Sequence, residues 1–186
     1  ELLIEVAKSA HSIISMGIDP VISDIPIKGK KGEIIIEYFI NILNEITIPP
    51  ERPAIIKPNL AFFEQFGIEG IEALRSIITA YKDKGFQILL DAKRADIGKT
   101  SEAYARAIFD YYKVDAVTVN PYLGVEAIRP FFDYCKDGKG VYVLIRTTNP
   151  DADRVQNIDC AGTPLYMKIV ELFLENYQEG LGFVVG

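Results

Sequence analysis

The sequence predicts an α/β fold with a parallel sheet. Short runs rich in β-forming residues alternate along the chain with longer segments in which apolar residues recur every three or four positions. Parallel strands need a crossover connection, which a helix commonly supplies, so strict alternation favours parallel pairing. The chain has 186 residues, of which 49% are hydrophobic, and it is long enough to bury a substantial core.

Six runs are predicted to be strands, and five amphipathic segments between them are predicted to be helices. The strands are assigned to residues 12–18, 54–56, 87–90, 116–119, 141–145 and 182–185. The helices are assigned to residues 33–46, 68–82, 101–112, 125–136 and 164–177. Thr163 and Pro164 suit the N-cap and first positions of the last helix, and Gly85 suits the turn that ends the second.

Two architectures fit this pattern. A closed (β/α)8 barrel has eight units and typically about 250 residues, so the chain is either a TIM barrel with about six βα units present or an open doubly wound sheet. Asp19-Pro20 follows the first strand where a glycine-rich nucleotide loop would stand, which argues against a dinucleotide or NTP site.

We expect a single domain over residues 1–186. Because the sequence begins with Glu1 rather than Met and stops after the run 182–186, we expect that the C-terminal strands and the native termini are missing.

Composition argues against several functional classes. A net charge of −6 and a pI near 4.9 disfavour general binding to nucleic acid or anionic membranes. Cys135 and Cys160 form no CxxC or Cys/His motif, so a reducing cytoplasm is favoured over a disulfide framework or a zinc site. No apolar run approaches the roughly 20 residues that span a bilayer. The expected partner is a small molecule.

Polar residues follow five of the six predicted strands at their carboxyl ends. Parallel α/β sheets bind their ligands at this edge, whereas scattered surface charges would favour neither end. The residues are Asp19, Lys57, Asn59, Asp91, Lys93, Asn120 and the segment 146–149.

Asp91 and Lys93 are the main candidates for chemistry. They lie two residues apart at the end of an extended run, so both side chains can point to one side of the strand. Asp96 lies in the following turn, where it could join them or face a neighbouring subunit, and Lys57 could supply a second cation. Neighbouring carboxylates favour the ammonium form of lysine, which suits a proton donor rather than a Schiff-base nucleophile.

Each of these residues also has a structural interpretation. Asp91 and Lys93 could form an ion pair that closes the mouth of a barrel. Asp96 could stabilise the N-terminus of the next helix, and Thr100 or Ser101 could cap that helix.

Several other polar residues are weaker candidates. Asp19 and Asn59 could be turn formers, and Arg94 and Lys99 are expected to be solvated. His11 is the only histidine and precedes the first predicted strand. Histidine acid–base chemistry, a Ser-His-Asp triad and a histidine-rich metal site are therefore disfavoured.

Residues 91–100 read Asp-Ala-Lys-Arg-Ala-Asp-Ile-Gly-Lys-Thr, which resembles the Asp-x-Lys-x-x-Asp-Ile-x-x-Thr signature of orotidine 5′-phosphate decarboxylases, particularly the longer bacterial subgroup. Other segments resemble that subgroup's landmarks in the same order, and the resemblance covers essentially the whole chain. These segments are residues 17–20, 57–63, 118–122, 147–150 and 182–186.

The resemblance implies a TIM barrel, usually a homodimer with shared active sites. It would convert orotidine 5′-monophosphate to uridine 5′-monophosphate and CO2 in pyrimidine biosynthesis, without metal or coenzyme. Lys93 would give a proton to C6, Asp91 would face the substrate carboxylate, and Lys57 would hold the charged network and the ribose. Asp96 would come from the partner subunit.

The resemblance also implies a set of substrate-binding residues. They are Asp19 and Asn59 near the ribose, Ile97 and Thr100 in the signature, with Thr100 reaching the ribose from the partner, and Thr148 at the pyrimidine ring, where many relatives have Ser. The family's Pro-Gly-x-Gly-Ala-Gln-Gly loop and phosphate-binding Arg are absent from the sequence. We expect the phosphate site to be completed beyond Gly186, and the alternative is a degenerate form that lacks activity.

Two other functions stay open. A Mg2+-dependent phosphosugar decarboxylase or aldolase of the same barrel superfamily shares the Asp-x-Lys-x-x-Asp motif, although Lys57 and the extension to Ile97 and Thr100 argue against it. The chain could also be a noncatalytic nucleotide-binding barrel.

Overall fold

The computed structural model describes residues 2–47 and 52–186. They fall into two units, one that ends at Ala92 and one from Lys93 to Gly186. Glu1, on which the expectation of a missing native start rests, lies outside the described residues. The expectation of a single domain stays a prediction.

The first unit alternates helices with parallel strands. In chain order its elements are α1 (Leu2–Ala10), β1 (Ser15–Ile18), α2 (Lys31–Glu45), β2 (Ile55–Pro58), α3 (Leu60–Glu64), α4 (Gly67–Asp83) and β3 (Gln87–Arg94), the last of which runs into the second unit. Ser15 lies opposite Ile55, and Ile55 lies opposite Gln87. β1, β2 and β3 therefore pair in parallel, as predicted.

The core of the first unit lies between its strands and the pair α2 and α4. Ile18 and Ile56 are fully buried on the strands, and Ile35 and Leu74 are fully buried on the two helices. The hydroxyl of the buried Tyr81 donates to the carbonyl of Phe39 at 2.8 Å, which links α4 to α2. Burial also raises the pKa of the Tyr81 phenol. Apolar packing and one satisfied polar contact thus fix the two helices together.

α3 and α4 approach each other closely at a glycine. A Cβ atom placed on Gly70 would overlap the carbonyl oxygen of Phe63. Only a residue without a side chain fits there, so Gly70 sets how closely α4 can follow α3.

The second unit repeats the alternation. After the end of β3 its elements are α5 (Gly98–Arg106), a π-helical segment (Ala107–Tyr111), β4 (Ala116–Val119), α6 (Val125–Phe132), β5 (Gly140–Arg146), α7 (Ala152–Gln156), α8 (Leu165–Leu174) and β6 (Leu181–Val185). Short 3-10 turns at Pro121–Leu123 and Asp133–Asp137 flank α6. β4 pairs with β5 and β5 with β6, all in parallel. Val117, Val141 and Phe173 are fully buried between strands and helices.

The six predicted strands and five predicted helices are confirmed, with changes at their ends. α1, α3 and α7 were not predicted. Residues 12–14, predicted to open the first strand, lie before it, and Ile13 is 93% exposed. His11 has a φ of 50°, which ends α1, and the N–H of Ile14 donates to Oγ of Ser12 at 3.1 Å. A local turn therefore replaces the predicted start of the strand.

The predicted cap of the last helix is wrong. α8 begins at Leu165, and Pro164 is its N-cap, with no side-chain hydrogen bond at that end. The carbonyl of Thr163 accepts a bond from the N–H of Cys160 at 2.8 Å, and Asp159 forms an antiparallel bridge with Pro164. This turn holds Thr163 away from the capping position. Gly85, by contrast, has the predicted left-handed backbone, with a φ of 77°.

Among the described residues, no helix combines the length and apolar character needed to cross a membrane.

Candidate active site

Polar side chains of the first unit meet at the carboxyl ends of β2 and β3. The Nζ atom of Lys57 lies 3.6 Å from Oδ2 of Asp91, and the two side chains are 32% and 10% exposed. Because the pair is partly withdrawn from water, its charges interact more strongly than they would on an open surface. The structure therefore brings together two of the predicted catalytic residues.

The register of the strands explains this ion pair. Ile56 lies opposite Ile88, and the same offset places Asn59 opposite Asp91 in an isolated parallel bridge. Side chains two residues apart on a strand point to the same face, so Lys57 and Asn59 share a face with Asp91.

Asn59 and Asp19 occupy the ends of neighbouring strands. Oδ1 of Asn59 accepts a hydrogen bond from the N–H of Ala61 at 3.2 Å and so caps α3. The backbone N–H of Asn59 donates to the carbonyl of Ile18 at 3.2 Å. Asp19, the next residue after Ile18, is exposed. Asn59 therefore makes the local hydrogen bonds expected of a turn-forming residue.

Lys93, the first residue of the second unit, has an unusual backbone. Its φ is 46°, in the left-handed region, which costs a residue with a side chain roughly 1–2 kcal/mol. Its N–H donates to Oγ1 of Thr118 at 3.0 Å. Lys93 is exposed and leaves the extended conformation on which the predicted alternation of side chains depends.

The loop between β3 and α5 carries the remaining signature residues. Oδ1 of Asp96 accepts a hydrogen bond from the N–H of Ile97 at 2.8 Å. Ile97 is 61% exposed and is itself the N-cap residue of α5, with no side-chain bond at that end. Thr100 is exposed in the first turn. The interpretation of Thr100 or Ser101 as the N-cap is therefore wrong.

Ser101 and Arg94 make packing contacts instead. Ser101 is fully buried, and its hydroxyl donates to the carbonyl of Ala127 on α6. Arg94 was expected to be solvated, but it is half-buried and its guanidinium lies 5.1 Å from the centre of the Tyr104 ring. This distance allows a cation–π interaction that attaches the end of β3 to α5. Lys99 is exposed, as expected.

The loop after β5 holds Thr148 and is braced by Gln156. Oε1 of Gln156 accepts from the N–H of Thr147 at 2.9 Å, and its Nε2 donates to Oγ1 of Thr147 at 2.7 Å. Thr148 is exposed. A Cβ atom on Gly186 would lie 2.6 Å from Cγ2 of Thr148, so the glycine makes room for the threonine.

Thr118 and Gln156 were not among the predicted site residues. Thr118 is one of few buried polar residues in the described chain, and it stands between two valines of β4. A hydroxyl inside an apolar strand was the signal that could have identified it, because such a group needs a partner. Gln156 gave no signal, since its partner lies nine residues away across a loop.

His11 ends α1 and precedes β1. It lines a cavity of about 550 Å³ together with Ile4, Ala7 and Ile13.

Within residues 2–47 and 52–186, no group of three or more His, Cys, Asp or Glu side chains is arranged to hold a metal ion. The predicted absence of a metal or coenzyme stays a prediction.

Known proteins resemble this chain over nearly all of its length. Residues 37–186 match the model of the orotidine 5′-phosphate decarboxylase / HUMPS family. Orotidine 5′-phosphate decarboxylase of Herpetosiphon aurantiacus is 38% identical over 183 residues, which are 97% of this chain and 67% of that protein. The protein of the same name from Roseiflexus is 37% identical over 189 residues, which cover 100% of this chain and 67% of that protein.

A solved structure shows the same fold. It is the putative orotidine-monophosphate decarboxylase of Toxoplasma gondii, with a TM-score of 0.86 and 35% identity, and the match covers 100% of this chain and 69% of that one. The predicted fold class is therefore confirmed as part of a TIM barrel, and the open doubly wound sheet is excluded. The chain spans about two thirds of the length of these relatives.

Proposed function

The chain belongs to the orotidine 5′-phosphate decarboxylase / HUMPS family, and on this premise we propose that it decarboxylates orotidine 5′-monophosphate with Lys93 as the proton donor. Its relatives place it among the carboxy-lyases of pyrimidine biosynthesis. The observation that carries the proposal is the partly buried ion pair of Lys57 and Asp91. Asp91 stands two residues before Lys93 on β3.

The chemical difficulty lies in the electron pair that CO2 leaves behind. When the bond between C6 and the carboxylate breaks, that pair stays on C6, and the pyrimidine ring cannot delocalise it. A fixed ammonium stabilises charge that develops only in the transition state. In this proposal the Lys93 ammonium first lowers the energy of the carbanion and then gives C6 its proton. The products are uridine 5′-monophosphate, CO2 and a neutral amine, which regains a proton from water.

Asp91 and Lys57 would prepare the site for this step. The carboxylate of Asp91 would face the carboxylate of the substrate, and the repulsion between them would disappear as CO2 becomes neutral. Lys57 would keep Asp91 in place and contact the ribose. Interactions of this kind accelerate the reaction only where they favour the transition state over bound substrate.

We further propose that five residues bind the nucleotide. Asp19 and Asn59 would contact it near the ribose, Ile97 and Thr100 would contribute from the signature loop, and Thr148 would contact the pyrimidine ring. Their exposure supports this proposal, since Asp19, Ile97, Thr100 and Thr148 all lie open to solvent.

A homodimer with shared sites completes the proposal. Asp96 and Thr100 would reach the active site of the partner subunit. Both lie in the loop and first turn after β3, where they could project away from their own subunit.

We also propose a cytoplasmic setting, consistent with Cys135 and Cys160 being free thiols.

The test is turnover by the full-length protein. With orotidine 5′-monophosphate as substrate and EDTA present, we expect stoichiometric uridine 5′-monophosphate and CO2. A strict requirement for Mg2+, with turnover of a phosphosugar, would assign the chain to the related Mg2+-dependent enzymes. Binding of uridine 5′-monophosphate without turnover of any substrate would indicate a noncatalytic barrel.

A further inference from the structure

We propose that Thr118 is a positioning residue that fixes the backbone of Lys93 and thereby the direction of its ammonium. This inference rests on the proposed function, because it assigns Thr118 a task only if Lys93 acts on the substrate. It adds to the proposed active site a residue on β4 whose side chain contacts the backbone of Lys93.

Thr118 places a polar hydroxyl inside an otherwise apolar part of β4. It is 3% exposed, and its neighbours Val117 and Val119 are fully buried. A hydroxyl removed from water is unfavourable unless it forms hydrogen bonds. Its Oγ1 accepts a hydrogen bond from the N–H of Lys93 at 3.0 Å. The hydroxyl of this buried strand residue therefore serves as an acceptor for the backbone of Lys93.

The contact falls at the point where β3 departs from regular geometry. Lys93 has a φ of 46°, whereas the residues of a regular strand have negative φ. One residue later, the carbonyl of Arg94 accepts a hydrogen bond from the N–H of Asn120 at 2.9 Å. The backbone is therefore held at the N–H of Lys93 by Thr118 on β4 and at the carbonyl of Arg94 by Asn120, which directly follows β4.

The direction of the Lys93 side chain depends on this arrangement. Rotating φ from the left-handed to the extended region swings the Cα–Cβ bond, and the four-carbon stem of lysine amplifies the change at Nζ. A displacement of about 1 Å at a catalytic group can lower the rate by about 10²-fold. Without the acceptor on Thr118, Lys93 can relax to an unstrained φ and move its ammonium away from C6.

The experiment compares Thr118→Val with Thr118→Ser in the full-length protein. Valine has nearly the same shape and removes the acceptor, while serine keeps the hydroxyl and removes only a methyl group. Thr79→Val is the matched control, because the Thr79 hydroxyl donates to a carbonyl on the exposed face of α4. We expect kcat to fall about tenfold or more in Thr118→Val and to stay within about threefold in Thr118→Ser, with unchanged kcat in Thr79→Val.

Two further readouts separate positioning from a structural role. The dissociation constant for uridine 5′-monophosphate should stay within about threefold in Thr118→Val, because a group that acts on the transition state contributes little to product binding. Hydrogen exchange of the Lys93 amide should become at least about tenfold faster, while exchange at Leu90 in the same strand stays unchanged.

The outcomes distinguish the possibilities. Equal loss of kcat and of product affinity in Thr118→Val, or a kcat of Thr118→Ser reduced as far as that of Thr118→Val, would overturn the inference. If Thr118→Val does not fold, the Thr118→Ser result decides alone, and a loss of kcat beyond about threefold counts against positioning. If the wild-type protein does not decarboxylate orotidine 5′-monophosphate, the proposed function itself is refuted. That result does not depend on the exchange rate of the Lys93 amide.

Discussion

Lys57 and Asp91 form an ion pair in which the anion is much the less exposed partner. Nζ and Oδ2 are 3.6 Å apart, and the lysine side chain is 32% exposed against 10% for the aspartate. A lysine that loses its partner can turn toward water on its flexible stem, whereas the carboxylate cannot leave the end of β3. Removing the lysine and removing the aspartate should therefore affect stability differently.

This asymmetry predicts unequal costs of substitution. Lys57→Met leaves a shielded carboxylate with one cation fewer and should lower the free energy of unfolding by about 1–2 kcal/mol, less than a fully buried pair would lose. Asp91→Asn should cost less than Lys57→Met, and the double variant should cost less than the sum. Urea unfolding at neutral pH measures all three. Lys30→Met, from an exposed pair on the same unit, is the control, and equal losses for Lys57→Met and Asp91→Asn would contradict the asymmetry.

Lys93→Ala should abolish decarboxylation while leaving nucleotide binding measurable. We expect kcat to fall by at least about 10³-fold, because the ammonium acts mainly on charge formed in the transition state. Calorimetric titration with uridine 5′-monophosphate should still detect binding. Lys99→Ala, which removes an exposed lysine of α5, should keep kcat near the wild-type value. A Lys93→Ala protein with near-normal kcat would remove Lys93 from the mechanism.

Asp96 provides a test of shared sites. Lys93→Ala and Asp96→Ala proteins, each inactive alone, should regain roughly a quarter of wild-type activity after random subunit exchange. About half of the dimers are then heterodimers, and one of the two sites in each heterodimer carries neither defect. A tagged pull-down verifies that heterodimers form. Heterodimers without activity would mean that Asp96 serves its own subunit.

Two glycines of α4 should respond differently to alanine. Gly70→Ala places a methyl group against the carbonyl of Phe63, and we expect a loss of about 2–4 kcal/mol in unfolding free energy. Gly67 has open space around its Cβ position but a φ of 61°, so Gly67→Ala should cost only about 1 kcal/mol. Thermal and urea unfolding compare the two variants. Similar losses would show that α3 and α4 separate easily.

Cys135 should make stability depend on alkaline pH. Burial raises the pKa of the Cys135 thiol from 9.0 to about 11. Between these values the unfolded chain has released a proton that the folded chain still holds, so unfolding becomes easier as pH rises. Because the residue is partly exposed, we expect a loss of about 1 kcal/mol between pH 9 and 11. Cys135→Ala should show a shallower decline, and identical slopes for the two proteins would refute the assignment.

Much of the fold could be predicted because buried strands and amphipathic helices leave clear patterns in the sequence. β4 matches its predicted range, Ala116–Val119, since each of its ends is marked by a change from apolar to polar residues. Helices of one or two turns were missed. α3 and α7 have five residues each, which is too short for a repeating apolar stripe.

The sequence predicted where the site residues lie better than it predicted their backbone conformation. Lys57 and Asp91 meet because strand register carries them to the same edge, which parallel topology implies. The left-handed backbone of Lys93 depends on a hydrogen bond to a residue 25 positions later. No local pattern predicts such a bond, because its two partners are far apart in the sequence and meet only in the folded second unit.

The contact between Gly186 and Thr148 predicts how these two positions should vary together among relatives. The atom that excludes a Cβ from residue 186 is Cγ2 of Thr148, at 2.6 Å, and serine lacks that atom. Chains with serine at position 148 can therefore accept alanine at position 186, while chains with threonine there should retain glycine. A single methyl group would thus link the residue choices at two positions that are separated by 37 intervening residues.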